Sequence, residues 1–178
     1  AHGGLRELKR LNLYFNIKLG DGFVTALVAL LDEGGLANVE SLNLYSNAIS
    51  DAGMRELAAA VARGGLPKCT TLDACFNPGS DAPVQQALAQ RNLEQLHACT
   101  PEILQAAELS FSGLKWNDAQ GVQLCEALRH AHAHGGLREL KRLNLYFNIK
   151  LGDGFVTALV ALLDEGGLAN VESLNLYS

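Results

Sequence analysis

The sequence lacks a long apolar run and an excess of positive charge. Its longest apolar stretch, residues 23–31, spans nine residues and includes Thr25, whereas a membrane-spanning helix needs about 20. The 14 Lys and Arg residues are outnumbered by 19 Asp and Glu residues, for a net charge of −5, so nothing attracts nucleic-acid phosphates. With 48% hydrophobic and 19% charged residues, the 178-residue chain has the composition of a globular protein. We therefore expect no membrane or nucleic-acid partner.

Cysteines are also sparse. The four that occur form no C-x-x-C pair and are irregularly spaced, and the chain contains no N-x-S/T glycosylation sequon. A secreted domain held together by disulfides would be denser in cysteine. We therefore predict free thiols and a cytoplasmic, intracellular location.

What the chain does contain is repetition. Residues 1–46 recur letter for letter as residues 133–178, and a shorter phrase, L-x-x-L-x-L-x-x-N, recurs within and between these copies. A period of 20–50 residues is typical of repeat architectures. The second leucine of the phrase falls at Leu11, Leu42, Leu72, Leu109, Leu143 and Leu174, so the spacings are 31, 30, 37, 34 and 31 residues.

A helical pattern follows each phrase. Phe23, Ala26, Leu27 and Leu30 have the i, i+3, i+4, i+7 spacing of one helix face, and the Gly34-Gly35 pair is a helix stop. The next unit repeats the pattern in its own residues. In the second unit the predicted buried helix face is formed by Met54, Leu57, Ala58 and Val61. Each unit is therefore predicted to consist of a short strand, a turn, a helix and a glycine turn.

The stretch L-N-L-Y-S-N-A-I-S-D-A-G at residues 42–53, with E-L-S-F at 108–111 and G-V-Q-L-C-E-A-L at 121–128, resembles the ribonuclease-inhibitor subclass of leucine-rich repeats. NOD-like receptors and the GTPase-activating protein for Ran also contain this subclass. The resemblance implies an α/β fold: a solenoid, or horseshoe, with parallel strands on the concave face and helices on the convex face. We expect one leucine-rich repeat domain over residues 1–178, about five and a half repeats, and a piece of a longer array because the end repeats lack polar caps.

The asparagine that ends each phrase is predicted to be structural, serving backbone groups of its own and neighbouring loops in an Asn ladder. Unsatisfied backbone groups would cost about 1–3 kcal/mol each. Leu114 replaces this asparagine in the fourth unit. The overlong unit before it owes its length to residues 91–101, which we expect to form a longer loop or an extended helix on the convex side.

The residues between the inward leucines are expected to face the concave side. Seven of the ten Tyr and Phe residues fall in these positions, and aromatic and Arg side chains on a rigid scaffold are typical of binding hot spots. The alternative is that Phe15 and Phe147 fold inward and line the loops. The predicted partner-binding residues are Arg10, Asn12, Tyr14, Phe15, Asn43, Tyr45, Asp73, Phe76, Arg142, Asn144, Tyr146 and Phe147.

No pattern indicates catalysis or a cofactor. His130, His132 and His134 would share one face only in an extended segment; they fall where other units end a helix, so we expect no metal site there. Gly20-Asp21-Gly22 lacks the third glycine and the Lys-Ser/Thr of a phosphate loop. Cys75 has no nearby His or Lys in its phrase to activate it.

These patterns favour a non-enzymatic module that binds a protein through its concave face. Two alternatives remain open. The resemblance permits a GTPase-activating accessory protein of the Ran type, and the identical 46-residue segments permit a structural or engineered repeat scaffold.

Overall fold

The computed structural model describes residues 7–177 and is a mixed α/β fold in which short strands alternate with helices. No helix within these residues combines the length and apolar character that crossing a bilayer requires. The elements are β1 (Arg10–Asn12), α1 (Asp21–Asp32), β2 (Ser41–Asn43), α2 (Asp51–Ala62), β3 (Thr71–Asp73), α3 (Ala82–Ala98), α4 (Pro101–Leu104), β4 (Glu108–Ser110), α5 (Asp118–Ala133), β5 (Arg142–Asn144), α6 (Asp153–Asp164) and β6 (Ser173–Asn175).

The first of two compact units is Ala1–Leu88. Its strands β1, β2 and β3 form a parallel sheet in which the phrase leucines are in register, Leu11 beside Leu42 and Leu42 beside Leu72. Because successive strand residues point to opposite faces, the leucine of each strand joins the core and its neighbours face away. The predicted strand positions are confirmed.

The second unit is Ala89–Ser178. Strands β4, β5 and β6 form a separate parallel sheet, with Leu109, Leu143 and Leu174 in register. The overlong repeat has its extra length in helix: α3 runs to Ala98, and α4 begins at Pro101. Of the two expectations for residues 91–101, the extended helix is therefore the correct one.

The buried face of α1 differs from the one predicted. Val24, Leu27, Val28 and Leu31 are buried, whereas Ala26 is exposed. The reason is the neighbour: α2 packs against α1 and covers the side that α1 turns towards the next repeat. The predicted face of α2 is confirmed, with all four of its residues buried.

Helix α6 has the same sequence as α1 but a different buried face. Phe155, Leu159 and Leu162, the equivalents of Phe23, Leu27 and Leu30, are buried against the second core, because α5 packs alongside α6 from the preceding repeat. The side that α2 covers on α1 is open on α6. Val156, Val160 and Leu163 are 50%, 49% and 46% exposed.

The predicted Asn ladder is present. The side-chain amide of Asn47 donates to the carbonyls of Leu13 (3.0 Å) and Leu44 (2.7 Å), and its oxygen accepts from the backbone N–H of Asn16 (2.9 Å). Asn77 and Asn148 repeat the arrangement in their own loops. Each asparagine thus satisfies backbone groups of two adjacent loops, which would otherwise be left unpaired.

Candidate functional site

The outward positions of the strands are polar. Arg10 and Asn12 flank the inward Leu11 and are exposed. The Asn or Asp at the second outward position makes an Asx turn, in which its side-chain oxygen accepts the backbone N–H two residues later. The pairs are Asn12–Tyr14 (3.0 Å), Asn43–Tyr45 (2.9 Å), Asp73–Cys75 (3.1 Å), Asn144–Tyr146 (3.0 Å) and Asn175–Tyr177 (3.1 Å).

Four of the predicted site residues, Asn12, Asn43, Asp73 and Asn144, therefore accept a hydrogen bond from the backbone N–H two residues later. Sequence reasoning treated them only as contact residues. The signal for their positioning role was in the sequence: an Asn or Asp stands two residues before the Tyr in four of the phrases, and before Cys75 in another.

In the first unit, the rings that follow the strands form a continuous contact series, which we call the aromatic row: Tyr14, Phe15, Tyr45 and Phe76. Ring centroids are 5.4 Å apart for Tyr14–Tyr45 and 4.8 Å for Tyr45–Phe76, and Phe15 lies 5.6 Å from Tyr14. All three pairs are tilted at geometries that aromatic pairs favour. Tyr14, Phe15 and Phe76 are 54%, 61% and 76% exposed, whereas Tyr45 is half-buried, so the row presents three of its four rings to solvent.

The backbone holds the phenylalanines outward. Phe15, Phe76 and Phe147 have φ near +59°, +58° and +59°, in the left-handed region that bulky residues seldom adopt. At Phe15 and Phe147 the backbone N–H donates to a carbonyl of the next repeat, that of Tyr45 (3.0 Å) and that of Tyr177 (2.8 Å). Phe147 is 45% exposed, so the alternative in which Phe15 and Phe147 fold inward is wrong.

The second unit has a shorter series of its own. Tyr146 lies 5.7 Å from Phe147 and 5.9 Å from Tyr177, and the two tyrosine rings are nearly parallel at 6°. Arg142 beside them donates to Glu108 at 3.0 Å, whereas Arg10 in the first unit is simply exposed. The predicted site residues therefore fall into two groups, one in each unit.

No protein-family model matches the chain, and no curated protein matches it. The rings alternate with Asn and Asp side chains whose oxygens already accept a backbone hydrogen bond.

Cys75, beside the aromatic row, is held as a neutral thiol. Partial burial of its sulfur, then the charges of Asp81 and Asp73, raise the pKa of Cys75 from 9.0 to about 12. The thiol lies 3.5 Å from the Asp81 carboxylate and donates to it. A reactive cysteine needs the opposite environment, one that favours the thiolate, so Cys75 belongs to the surface as a small neutral group.

Proposed function

We propose that this chain is a protein-binding module whose partner docks on the outward face of the strands and on the aromatic row. The observation that carries the proposal is the exposure of Tyr14 and Phe76 on either side of the half-buried Tyr45, whose ring contacts both. Interstrand hydrogen bonds and Asx turns hold the backbone of these residues. Large exposed apolar patches mark interaction sites. Tyr and Trp lead among the residues that carry binding energy.

Preorganisation supports the same conclusion. A flexible loop loses conformational entropy when it binds, at about 0.5–1.5 kcal/mol for each immobilised side chain. The rings of the aromatic row already rest against one another, and the backbone N–H groups of Tyr14, Phe15 and Tyr45 are already hydrogen-bonded. A partner that buries these rings therefore loses less binding free energy to the conformational entropy of the surface.

We further propose that each unit is a run of leucine-rich repeats of the ribonuclease-inhibitor type, with strands on the concave side of a solenoid. The supporting features are the in-register parallel strands, the alternation of strand and helix, and the asparagines that bridge successive loops. The four free cysteines, Cys69, Cys75, Cys99 and Cys125, support an intracellular location for such a module.

The test is affinity capture from a lysate of the source organism, comparing wild type with a Tyr14/Tyr45/Phe76/Tyr146→Ala variant. A matched control is the Val156/Val160/Leu163→Ala variant, which removes exposed apolar side chains elsewhere. We expect the first variant to lose partners that the control retains. If both variants capture the same proteins as wild type, neither the aromatic row nor Tyr146 forms the binding surface.

A turnover assay separates the enzymatic-accessory alternative. A Ran-type activator would accelerate GTP hydrolysis by a member of a panel of small GTPases. The binding module proposed here leaves every rate in the panel unchanged.

A further inference from the structure

The end of α5 and the turn after α3 bring three metal-ligand side chains together in the second unit. Cys99, His130 and His134 each offer one ligand atom, and these atoms all lie within 4.8 Å of one another. None of the three belongs to the aromatic row or to the strand faces described above.

The two histidines share a face because α5 is helical to its last turn. His130 and His134 are four residues apart, and residues i and i+4 lie one above the other on a helix; their ring centroids are 4.3 Å apart. The spacing of His132 places it on a different side. The sequence suggested metal binding by all three histidines only if the segment were extended, and α5 continues through Ala133 instead.

Cys99 comes from the extra length of the overlong repeat. It follows α3 in a left-handed conformation with φ near +50°, and the Thr100-Pro101 step then starts α4. This turn places the thiol beside the histidines at the end of α5. The thiol also donates to the carbonyl of Leu96 in α3, at 3.6 Å. No local sequence pattern links Cys99 to the histidines, so the cluster is visible only in the folded chain.

A hydrogen bond to the backbone sets the tautomer of His134. Its Nδ1 lies 2.8 Å from the backbone carbonyl of His130, the contact that a protonated Nδ1 makes. Histidines that bind metals usually donate one ring N–H to such an acceptor, which fixes the tautomer and leaves the other nitrogen for the metal. This contact leaves Nε2 as the unprotonated nitrogen of the His134 ring.

We propose that Cys99, His130 and His134 form a Zn²⁺ site, with three protein ligands and a fourth position open to water or another ligand. Two imidazoles and a thiolate are a donor set that Zn²⁺ prefers, at about 2.0–2.1 Å for nitrogen and 2.3 Å for sulfur. A tetrahedron with those bond lengths needs ligand atoms about 3.3–3.7 Å apart, so the side chains close by roughly 1 Å. His130 and His134 are exposed and can rotate to do so.

The bound ion would join the turn after α3 to the end of α5. Because the three ligands come together only in the folded chain, metal binding would favour the folded state. The ion would then hold the turn at Cys99, in the overlong repeat, against the end of α5. Its open fourth position would also admit a ligand from outside the chain.

The experiment uses the full chain, reduced and freed of metal, and titrates it with Co²⁺ as a spectroscopic stand-in and with Zn²⁺ by calorimetry. We expect one ion per chain, a thiolate-to-cobalt charge-transfer band, and a Tm that rises with added Zn²⁺. Cys99→Ser should abolish the band, and His134→Ala should weaken Zn²⁺ binding by more than about tenfold, the loss that even an outer partner of a site can cause.

His132→Ala and Cys75→Ser are the matched controls, one from the same helix end and one a cysteine outside the cluster. Both should keep the band and the affinity. The proposal is overturned if wild type gives no band, if the band survives Cys99→Ser, or if His132→Ala weakens binding as much as His134→Ala. Far-UV circular dichroism of each variant verifies folding, and His130→Ala replaces any variant that fails to fold.

Discussion

Leu31 and Leu163 occupy the same position in two identical segments, yet Leu31 is 4% exposed and Leu163 is 46% exposed. Only their surroundings differ. Leu31 lies beside the second repeat, where a Cβ added to Gly65 would stand 3.4 Å from the Leu31 Cβ. Thr25 shows the same dependence: its hydroxyl donates to Glu56 of α2, whereas that of its equivalent, Thr157, turns back to the Asp153 carbonyl.

The different burial of Leu31 and Leu163 predicts that substitution by Ala lowers the free energy of unfolding by different amounts at the two positions. Leu31→Ala should lower the free energy of unfolding by about 2–5 kcal/mol, because it leaves a cavity in a packed core. Leu163→Ala should change it by no more than about 0.5 kcal/mol, as is usual for surface positions. Urea unfolding of both variants measures the difference.

The control for that prediction gives α6 a neighbouring helix like the one beside α1. Appending a copy of residues 47–70 after Ser178 continues the repeat in the order found at residues 1–70. Leu163→Ala should then become costly in the extended chain. Equal costs at positions 31 and 163 in the unextended chain would contradict the packing described here.

The Asn ladder predicts a second contrast. Asn47 is 7% exposed and bridges two loops, so Asn47→Ala leaves backbone groups unpaired, at about 1–3 kcal/mol each. Asn16 is exposed, and within residues 7–177 its amide donates only to its own loop, at Leu13 and Tyr14. Asn16→Ala should therefore cost clearly less in the same unfolding experiment, and a larger loss for Asn16→Ala would refute the ladder's role.

Two helix-starting aspartates predict acid sensitivity. Hydrogen bonds from the Ser50 hydroxyl and N–H lower the pKa of Asp21 below 3.8, and the Gly152 N–H does the same for the pKa of Asp118. A lowered native pKa stabilises the fold above the unfolded value, and this stability is lost as pH falls through the native pKa.

Asp21→Asn should thus reduce stability at neutral pH and flatten the decline of Tm below about pH 4, the unfolded range of an aspartate. Asp153→Asn, at the equivalent and exposed position of α6, is the control and should follow the wild-type curve. If the Tm of Asp21→Asn falls with acid as steeply as that of wild type, ionised Asp21 does not stabilise the fold.

The raised pKa of Cys75 predicts a slow rate of alkylation. With its pKa raised to about 12, the thiol should react slowly with iodoacetamide at pH 8 despite being an exposed residue, because the thiolate is the reacting form. Asp81→Asn should speed the reaction, since it removes the nearest negative charge. Peptide mass spectrometry of timed samples measures both rates, and rapid alkylation of wild-type Cys75 would contradict the assignment.

The local pattern of the sequence predicted what depends on one repeat. The strand around Leu42, the asparagine at position 47, the helix face of Met54 and the exposure of Tyr14 all follow from spacing and residue type. The side of each helix that adjacent repeats bury could not be predicted from its own sequence. Identical sequences bury Val24 in α1 and Phe155 in α6 because different helices lie beside them.

The candidate sites divide in the same way. The aromatic row could be found because it recurs with the repeat. The grouping of Cys99 with His130 depends on how an irregular turn is placed against a distant helix end, which no periodicity encodes.

The most direct test of the proposed binding surface is site-resolved photo-crosslinking. A photoreactive phenylalanine analogue replaces Tyr45 in one protein and Val160 in another, and each is irradiated in a lysate of the source organism. We predict a discrete crosslinked product from position 45 that disappears when Tyr14 and Phe76 are also changed to Ala, and no such product from position 160. The same products from both positions, or none from position 45, would contradict binding through the aromatic row.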